Sequence, residues 1–132
     1  MPEPAASAAT LHRWDEVELE QMSPTLTRQF ISGEKSMLAR IVLKKGCVVP
    51  EHSHPNEQIA YILSGALEFN LSGTVHTVRA GEVLVIPANL PHSAIALEDT
   101  VDLDLFAPPR QDWISKDDSY LRHAAPPLDN PE

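Results

Sequence analysis

Apolar and polar residues alternate along much of the chain with a period of two, the pattern of half-buried strands. From Ser36 to Leu43, the residues Met37, Ala39, Ile41 and Leu43 fall on one face. The preceding stretch, Thr25 to Ile31, is rich in β-prone residues, and Ser32-Gly33-Glu34 reads as a turn, so the two segments predict a first hairpin. Further strands are predicted over Gln58–Leu63, Ala66–Leu71, Thr74–Val78, Val83–Ile86, His92–Leu97 and Thr100–Phe106. Their separators are Ser64-Gly65, Ser72-Gly73, Arg79-Ala80-Gly81-Glu82 and Glu98-Asp99. Pro87 has no amide hydrogen to give a ladder, so it ends its strand or lies at an edge. About nine strands at spacings of roughly 8–12 residues, uninterrupted by helix, predict an all-β antiparallel sandwich or small barrel.

The flanks read differently. Residues 1–20 form a lead-in, flexible at its Pro/Ala/Ser-rich start and with a helical turn among Leu11 to Glu20. The strand-rich domain spans 21–113. Residues 114–132 complete a short helix over Gln111 to Tyr120, with Asp112 or Ser115 as its cap, and then a loose Pro-rich tail from Leu121. Trp14 and Trp113 are expected to cover apolar edges of the barrel or an interface.

Composition narrows the class. With 132 residues, 42% of them hydrophobic, the chain makes one domain with a sizeable core. Aromatics are only 5%, so that core must be mostly aliphatic, which suits strands. A formal net charge of -9 argues against nucleic acid and anionic membrane surfaces as partners. The single cysteine, Cys47, excludes an intramolecular disulfide and suits a reducing compartment. The start has neither a basic nor an apolar leader region, and no apolar run approaches the roughly 20 residues of a membrane helix. A cytoplasmic protein is expected.

Candidate chemistry gathers at Glu51-His52-Ser53-His54-Pro55-Asn56-Glu57-Gln58. His52 and His54, two apart on an extended segment, point to one side. Gln58 opens the next strand, and His92, behind Pro91, is the other histidine in a comparable setting. His52, His54, Gln58 and His92 are expected to converge on one divalent transition metal, with Ni, Zn, Mn or Fe all compatible with imidazole and amide donors. Glu57 is the alternative ligand, although alternation sends it to the other face. In Thr100–Phe106, Asp102, Asp104 and Phe106 share one face, and Val101, Leu103 and Leu105 share the other. The apolar set is expected to pack against the second sheet or a partner subunit. Asp104 and Phe106 then look into the pocket, whereas Asp102 reads as solvated. A carboxylate near a metal can act as general acid or base, and Arg110 can hold a substrate carboxylate bidentately. Cys47 reads as a small buried residue, and His12, His76 and His123 as surface histidines.

The spacing Gly46-x5-His52-x-His54-x3-Gln58-x6-Gly65 resembles the first cupin motif, and Gly81-x5-Pro87-x-Asn89-x2-His92 resembles the second. The resemblance covers roughly residues 25 to 110 and implies the cupin double-stranded β-helix, a jelly-roll barrel. Three positions depart from the usual motifs: Gln58 stands where Glu is common, Asn89 where Gly is common, and Ala96 where Asn often closes the second motif. Asn tolerates positive φ, so the turn at Asn89 can survive. Within the family, His52 to Gly65 and Asp104-Leu105-Phe106-Ala107-Pro108-Pro109-Arg110 are most similar to KdgF-type proteins of pectin degradation.

That resemblance implies an enzyme that converts 4,5-unsaturated uronate monosaccharides into open-chain keto acids. The metal would be held by His52, His54, Gln58 and His92, and activity would depend on Asp104 and Phe106, with Arg110 as the matching basic residue. It also implies a small sugar-acid substrate, and a homodimer built through strand-edge and N-terminal contacts. Two other readings stay open: an Fe(II)-dependent cupin dioxygenase, and a non-catalytic sugar- or small-acid-binding protein.

Overall fold

The computed structural model describes residues 8–122. Its strands are β1 Glu20–Ser23, β2 Leu26–Ser32, β3 Met37–Leu43, β4 Val48–His52, β5 Glu57–Ser64, β6 Ala66–Leu71, β7 Thr74–Arg79, β8 Val83–Ile86, β9 His92–Ala96 and β10 Thr100–Ala107. A 3-10 turn at Trp14–Glu16 precedes them, and two short helices follow, α1 Gln111–Ile114 and α2 Ser119–Arg122. One sheet has the order β1-β2-β3-β10-β5-β8 and the other β4-β9-β6-β7. Every pairing is antiparallel. This is the all-β jelly roll that the strand spacing and the cupin resemblance lead one to expect.

Period-two patterning places the core. Met37, Ala39, Ile41 and Leu43 of β3 are all buried, while Leu38 between them is exposed. They meet Ala60 and Ile62 of β5, Leu67 and Phe69 of β6, and Ile86 of β8 in one aliphatic cluster. Gly65 joins β5 to β6 at φ +87°, and a Cβ there would overlap the Asp99 carbonyl and Thr100, so no other residue fits without moving the β9–β10 turn. Asn89 takes φ 67°, so the left-handed turn of the second motif is kept without glycine.

Two strands went unread in the sequence. β1 is four residues long and largely polar, and only its ladder with β2 makes it a strand. β4 contains Pro50 and Glu51 and shows no alternation; it is the edge strand of its sheet, where a missing amide hydrogen is tolerated, and its register shifts between Val49 and His52. The expected helix over Gln111 to Tyr120 is two helices, separated where Lys116 adopts φ 66°. Neither Asp112 nor Ser115 caps it at the start: Arg110 is the N-cap residue, and Ser115 Oγ bonds back to the Gln111 carbonyl. Leu121, read as the start of a loose tail, is buried. His123 and the rest of that tail lie outside the described residues.

A buried ion-pair network holds α2 against the barrel. Arg28 is fully buried; Nη1 reaches Asp118 at 2.7 Å, Nη2 reaches Glu20 at 2.8 Å, and the guanidinium lies 4.5 Å from the Trp113 ring. Arg122 and Lys116 add exposed contacts to Asp118 and Glu20. Trp113 does cover the barrel, but from inside the core, not at an edge.

β10 inverts the ordinary sheet pattern. Thr100, Asp102, Asp104 and Phe106 are buried, while Val101 and Leu103 are half-buried and Leu105 is exposed on the outer face. The apolar set therefore does not pack against the second sheet, one of the two places expected for it.

Candidate metal centre

His52 ends β4 and His92 begins β9, and the two are paired Cα to Cα across that ladder. Their rings therefore stand on one side of the sheet, with centroids 4.4 Å apart. His54, two residues on, brings its ring to 5.6 Å from His52 and 5.0 Å from His92. One ring nitrogen from each histidine lies within 4.8 Å of the others.

Backbone carbonyls set the tautomers. Nδ1 of His52 lies 2.8 Å from the Pro50 carbonyl, Nδ1 of His54 is 3.0 Å from that of Asn56, and Nδ1 of His92 is 2.8 Å from that of Leu90. A carbonyl only accepts, so each Nδ1 carries the hydrogen and each Nε2 keeps its lone pair. Burial pushes the His52 ring down to about 3 and His54 to about 4, with the Arg110 charge adding to the effect in both, and His92 also titrates below its ordinary value because of burial. All three are neutral donors at pH 7.

Gln58 completes the convergence. Its Nε2 donates to Asp104 Oδ1 at 3.1 Å, which turns Oε1 toward His54 Nε2 at 3.2 Å. With hydrogen on Nδ1 of His54, both facing atoms are acceptors. His92 Nε2 is buried without any hydrogen-bond partner. Converging buried lone pairs with no proton between them are costly, and a cation is what satisfies them. The residues present thus fit a bound metal, with three imidazoles and an amide oxygen available to it. Glu57 is exposed on the opposite face of β5 and does not join them.

The far wall carries acids. Asp104 sits between Ala39 and Ala60, two small residues that leave room for its carboxyl. Burial raises Asp104 to about 6, and burial together with the neighbouring Asp104 carboxylate raises Asp102 well above its ordinary value. Asp102 is therefore not the solvated residue expected; alternation puts it beside Asp104, and Oδ1 has no hydrogen-bond partner. Phe106 meets the His54 ring edge-on at 5.6 Å.

Arg110 is buried, not a surface residue, with its guanidinium 4.9 Å from the Phe106 ring and 4.6 Å from Trp113. Its Nε and Nη2 are taken by Asp112, at 2.9 and 2.7 Å, and Nη2 also meets the Tyr120 hydroxyl. The bidentate edge expected to hold a substrate carboxylate is thus engaged by the protein. Tyr120, half-buried with its ring 4.6 Å from that of His52, was not anticipated, nor was Arg28. Tyr120 lies in a segment without periodicity, and nothing near Arg28 in the chain marks it for burial.

His52, Gln58, His92, Asp104, Phe106 and Arg110 line one cavity of about 60 Å³, closed on one side by Tyr120 and Leu121. Cys47 is buried away from it, where burial raises the thiol pKa, and His12 and His76 are exposed, as read from the sequence.

A two-sheet jelly roll with histidines clustered at the ends of adjacent strands defines the cupin class, and the chain belongs to the cupin family: the cupin domain profile matches residues 39–107. Among curated proteins it is 27% identical over 103 residues to the pectin degradation protein KdgF of Dickeya dadantii (strain 3937), covering 76% of this chain and 94% of that one. Among solved structures it resembles KdgF from Halomonas sp. with a TM-score of 0.75 and 28% identity, over 80% of this chain and 99% of that one. An RmlC-like cupin from Shewanella frigidimarina NCIMB 400 aligns with a TM-score of 0.74 and 24% identity, over 80% of this chain and 96% of the other. Arg110, α1 and α2 lie beyond the matched family region. Among the described residues, no helix is long and apolar enough to cross a membrane.

Proposed function

We propose that the protein is a metal-dependent enzyme that opens the ring of 4,5-unsaturated uronate monosaccharides, giving open-chain keto acids, as the likeness to KdgF implies. The arrangement that supports this most is the facing of two walls across one cavity: a carboxylate-free donor set, and a buried carboxyl raised to about 6. A divalent ion held by His52, His54, Gln58 and His92 would act as a Lewis acid on a substrate oxygen, with its charge undiminished by any ligand carboxylate.

The chain's own residues then account for the proton traffic. Asp104 takes the proton of the anomeric hydroxyl as the C1 carbonyl forms. The bond from C1 to the ring oxygen breaks, and its electron pair passes to the C5 enolate. Asp104 returns the proton to C4, leaving a ketone at C5. No electrons enter or leave, so the reaction is an isomerisation and needs no co-reactant. A carboxyl titrating near 6 suits both directions of transfer. Arg110, paired with Asp112 behind Phe106, would meet a substrate carboxylate only by sharing or exchanging that partner, and Phe106 shapes the wall beside His54.

A cavity of about 60 Å³ is small beside the roughly 300 Å³ of small-ligand sites, so a monosaccharide needs the site to widen. Cytoplasmic action as a homodimer belongs to the same proposal.

The test is turnover of lyase-generated unsaturated galacturonate by protein loaded separately with Ni, Zn, Mn or Fe, under anaerobic conditions. Loss of the conjugated-alkene absorbance with formation of a keto acid of equal mass is expected. No turnover with any of the four metals would overturn the reading, and oxygen uptake with diketone or thiol substrates would replace it with the oxygenase.

A further inference from the structure

We propose, resting on the reading that the cavity binds an acid sugar, that Asp112 is an internal competitor for the substrate. It holds the Arg110 fork at rest and is exchanged for the carboxylate of the incoming ligand. Asp112 thereby becomes a specificity-determining residue, although no motif marks it and it lies beyond the matched family region.

Two buried arginines line the cavity, Arg28 and Arg110, and both guanidiniums rest on Trp113, at 4.5 and 4.6 Å. Their partners differ. Nε and Nη2 of Arg28 lie 2.9 and 2.8 Å from Glu20 Oε1, and Nη1 lies 2.7 Å from Asp118 Oδ2. Those two acidic side chains are only 8% and 0% exposed, so neither can pass into water without undoing the packing around it. Arg28 is paired for structure. Among the described residues, Arg110 has Asp112 as its carboxylate partner, and the exposures are unequal: 2% for the Arg110 side chain and 32% for that of Asp112.

Asp112 grips Arg110 as a bound carboxylate ligand does. Oδ1 accepts from Nε at 2.9 Å and Oδ2 from Nη2 at 2.7 Å, the two-point contact that matches a guanidinium to a carboxylate. Asp112 does not line the cavity; it reaches Arg110 from the side open to water. A carboxylate entering through the cavity therefore finds the fork taken. Two carboxylates on one fork repel each other, and the carboxyls of Asp102 and Asp104 in the same cavity deepen the repulsion. Asp112 can rehydrate on leaving, whereas Arg110 stays buried and must keep a partner, so it is the exposed acid that yields. The Tyr120 hydroxyl also meets Nη2, and the incoming carboxylate competes with it too. A neutral sugar offers Arg110 nothing in exchange and leaves the pair in place.

Calorimetric titration of the full metal-loaded chain with saturated galacturonate, which has no alkene to isomerise, tests it. Asp112→Asn keeps the shape and removes the charge. It is expected to bind galacturonate about tenfold more tightly than wild type, because a charge-assisted pair leaves the fork free only about a tenth of the time. Asp112→Glu keeps the charge and is expected to bind as wild type does. The methyl ester of galacturonate, which has no charge, is expected to bind all three alike. Thermal melts give a second readout: ligand-free Asp112→Asn should melt below wild type, since a buried cation has lost its partner, and galacturonate should raise its Tm by more. Galacturonate that binds Asp112→Asn no more tightly than wild type, or binds neither, overturns the proposal; Asp112 is then a fixed brace for Arg110. An equal gain for the ester overturns it as well, because space and not charge would be the cause. Turnover of the unsaturated uronate by wild type without the gain in Asp112→Asn sinks the exchange alone, and the gain without turnover sinks the enzymatic reading alone.

Discussion

His52, His54 and His92 hold their rings through carbonyls two residues away, whereas Asp104 is held by Gln58, 46 positions distant, and Asp102 Oδ1 has no hydrogen-bond partner at all. The two walls of one cavity are built differently. In the histidine wall each ring is oriented locally, by an i±2 hydrogen bond, and the β4–β9 ladder brings His52 and His92 together. The acid wall is a product of packing, since two carboxyls are buried only because β10 lies between β3 and β5 with alanines beside Asp104. Local geometry gives a robust donor set. Burial of charge instead lowers stability and leaves carboxyls able to carry protons near neutral pH, the familiar cost of a functional site.

Removing a histidine should break the comparison most severely. His54→Ala or His92→Ala is expected to lower metal affinity by at least about 100-fold and abolish turnover, measured by elemental analysis after desalting. Gln58→Ala should cost about 10–100-fold in affinity, and full retention of metal would remove Gln58 from the donor set.

Asp104→Asn should separate the walls. Metal content stays, while kcat falls by about 10²–10⁴. In the metal-free protein the same change should stabilise the fold at pH 7. The folded pKa of Asp104 is raised from 3.8 to about 6, so the native state binds its proton more tightly than the unfolded chain, and the ionised form lowers stability above that value. One pKa unit is worth about 1.4 kcal/mol, so the gain is on the order of 1–3 kcal/mol at pH 7, and it vanishes as pH falls below about 4.

The histidines carry the opposite sign. His52 and His54 are lowered from 6.5 to about 3 and about 4, so the unfolded chain binds more protons than the fold as pH drops. Their contribution is present above pH 6.5 and lost progressively toward pH 4. Asp104 partly offsets that loss in the wild type, so thermal melts of metal-free Asp104→Asn should show the steeper decline between pH 6.5 and 4. Parallel pH profiles for the two proteins would contradict the assignment.

α2 and the ion pairs that hold it make the smaller effects. Asp118→Asn weakens the clamp on Arg28 while leaving Glu20 in place, and should cost about 1–2 kcal/mol and speed amide exchange across Ser119–Arg122. Tyr120→Phe removes one hydroxyl contact to Arg110 and should change KM by a few-fold with kcat nearly intact. An unchanged exchange rate in Asp118→Asn would mean that α2 is held by Leu121 and not by charge.

What could be read from the chain follows the same division. The β2–β3 hairpin, the boundaries of β8 and the buried face of β3 are legible because period-two alternation is a local property. The histidines are legible because i, i+2 spacing on an extended segment needs no tertiary knowledge. Asp102 was misread because the outward residues of β10 are apolar, and the ordinary expectation puts apolar residues inside. β1 and β4 lack alternation and exist through their ladders. Tyr120 reaches the cavity through α2, whose docking depends on Leu121 and on the pairing of Asp118 with Arg28 of β2, and no local pattern encodes it.

Metal stoichiometry tests the central claim most directly. Wild-type protein and His92→Ala should each be incubated with Ni, Zn, Mn and Fe in turn, desalted, and analysed for metal per chain. About one equivalent of at least one metal on the wild type, with a small fraction of that on the variant, is the expected result. A wild type that retains no more metal than His92→Ala would contradict the assignment of His52, His54, Gln58 and His92 to one centre.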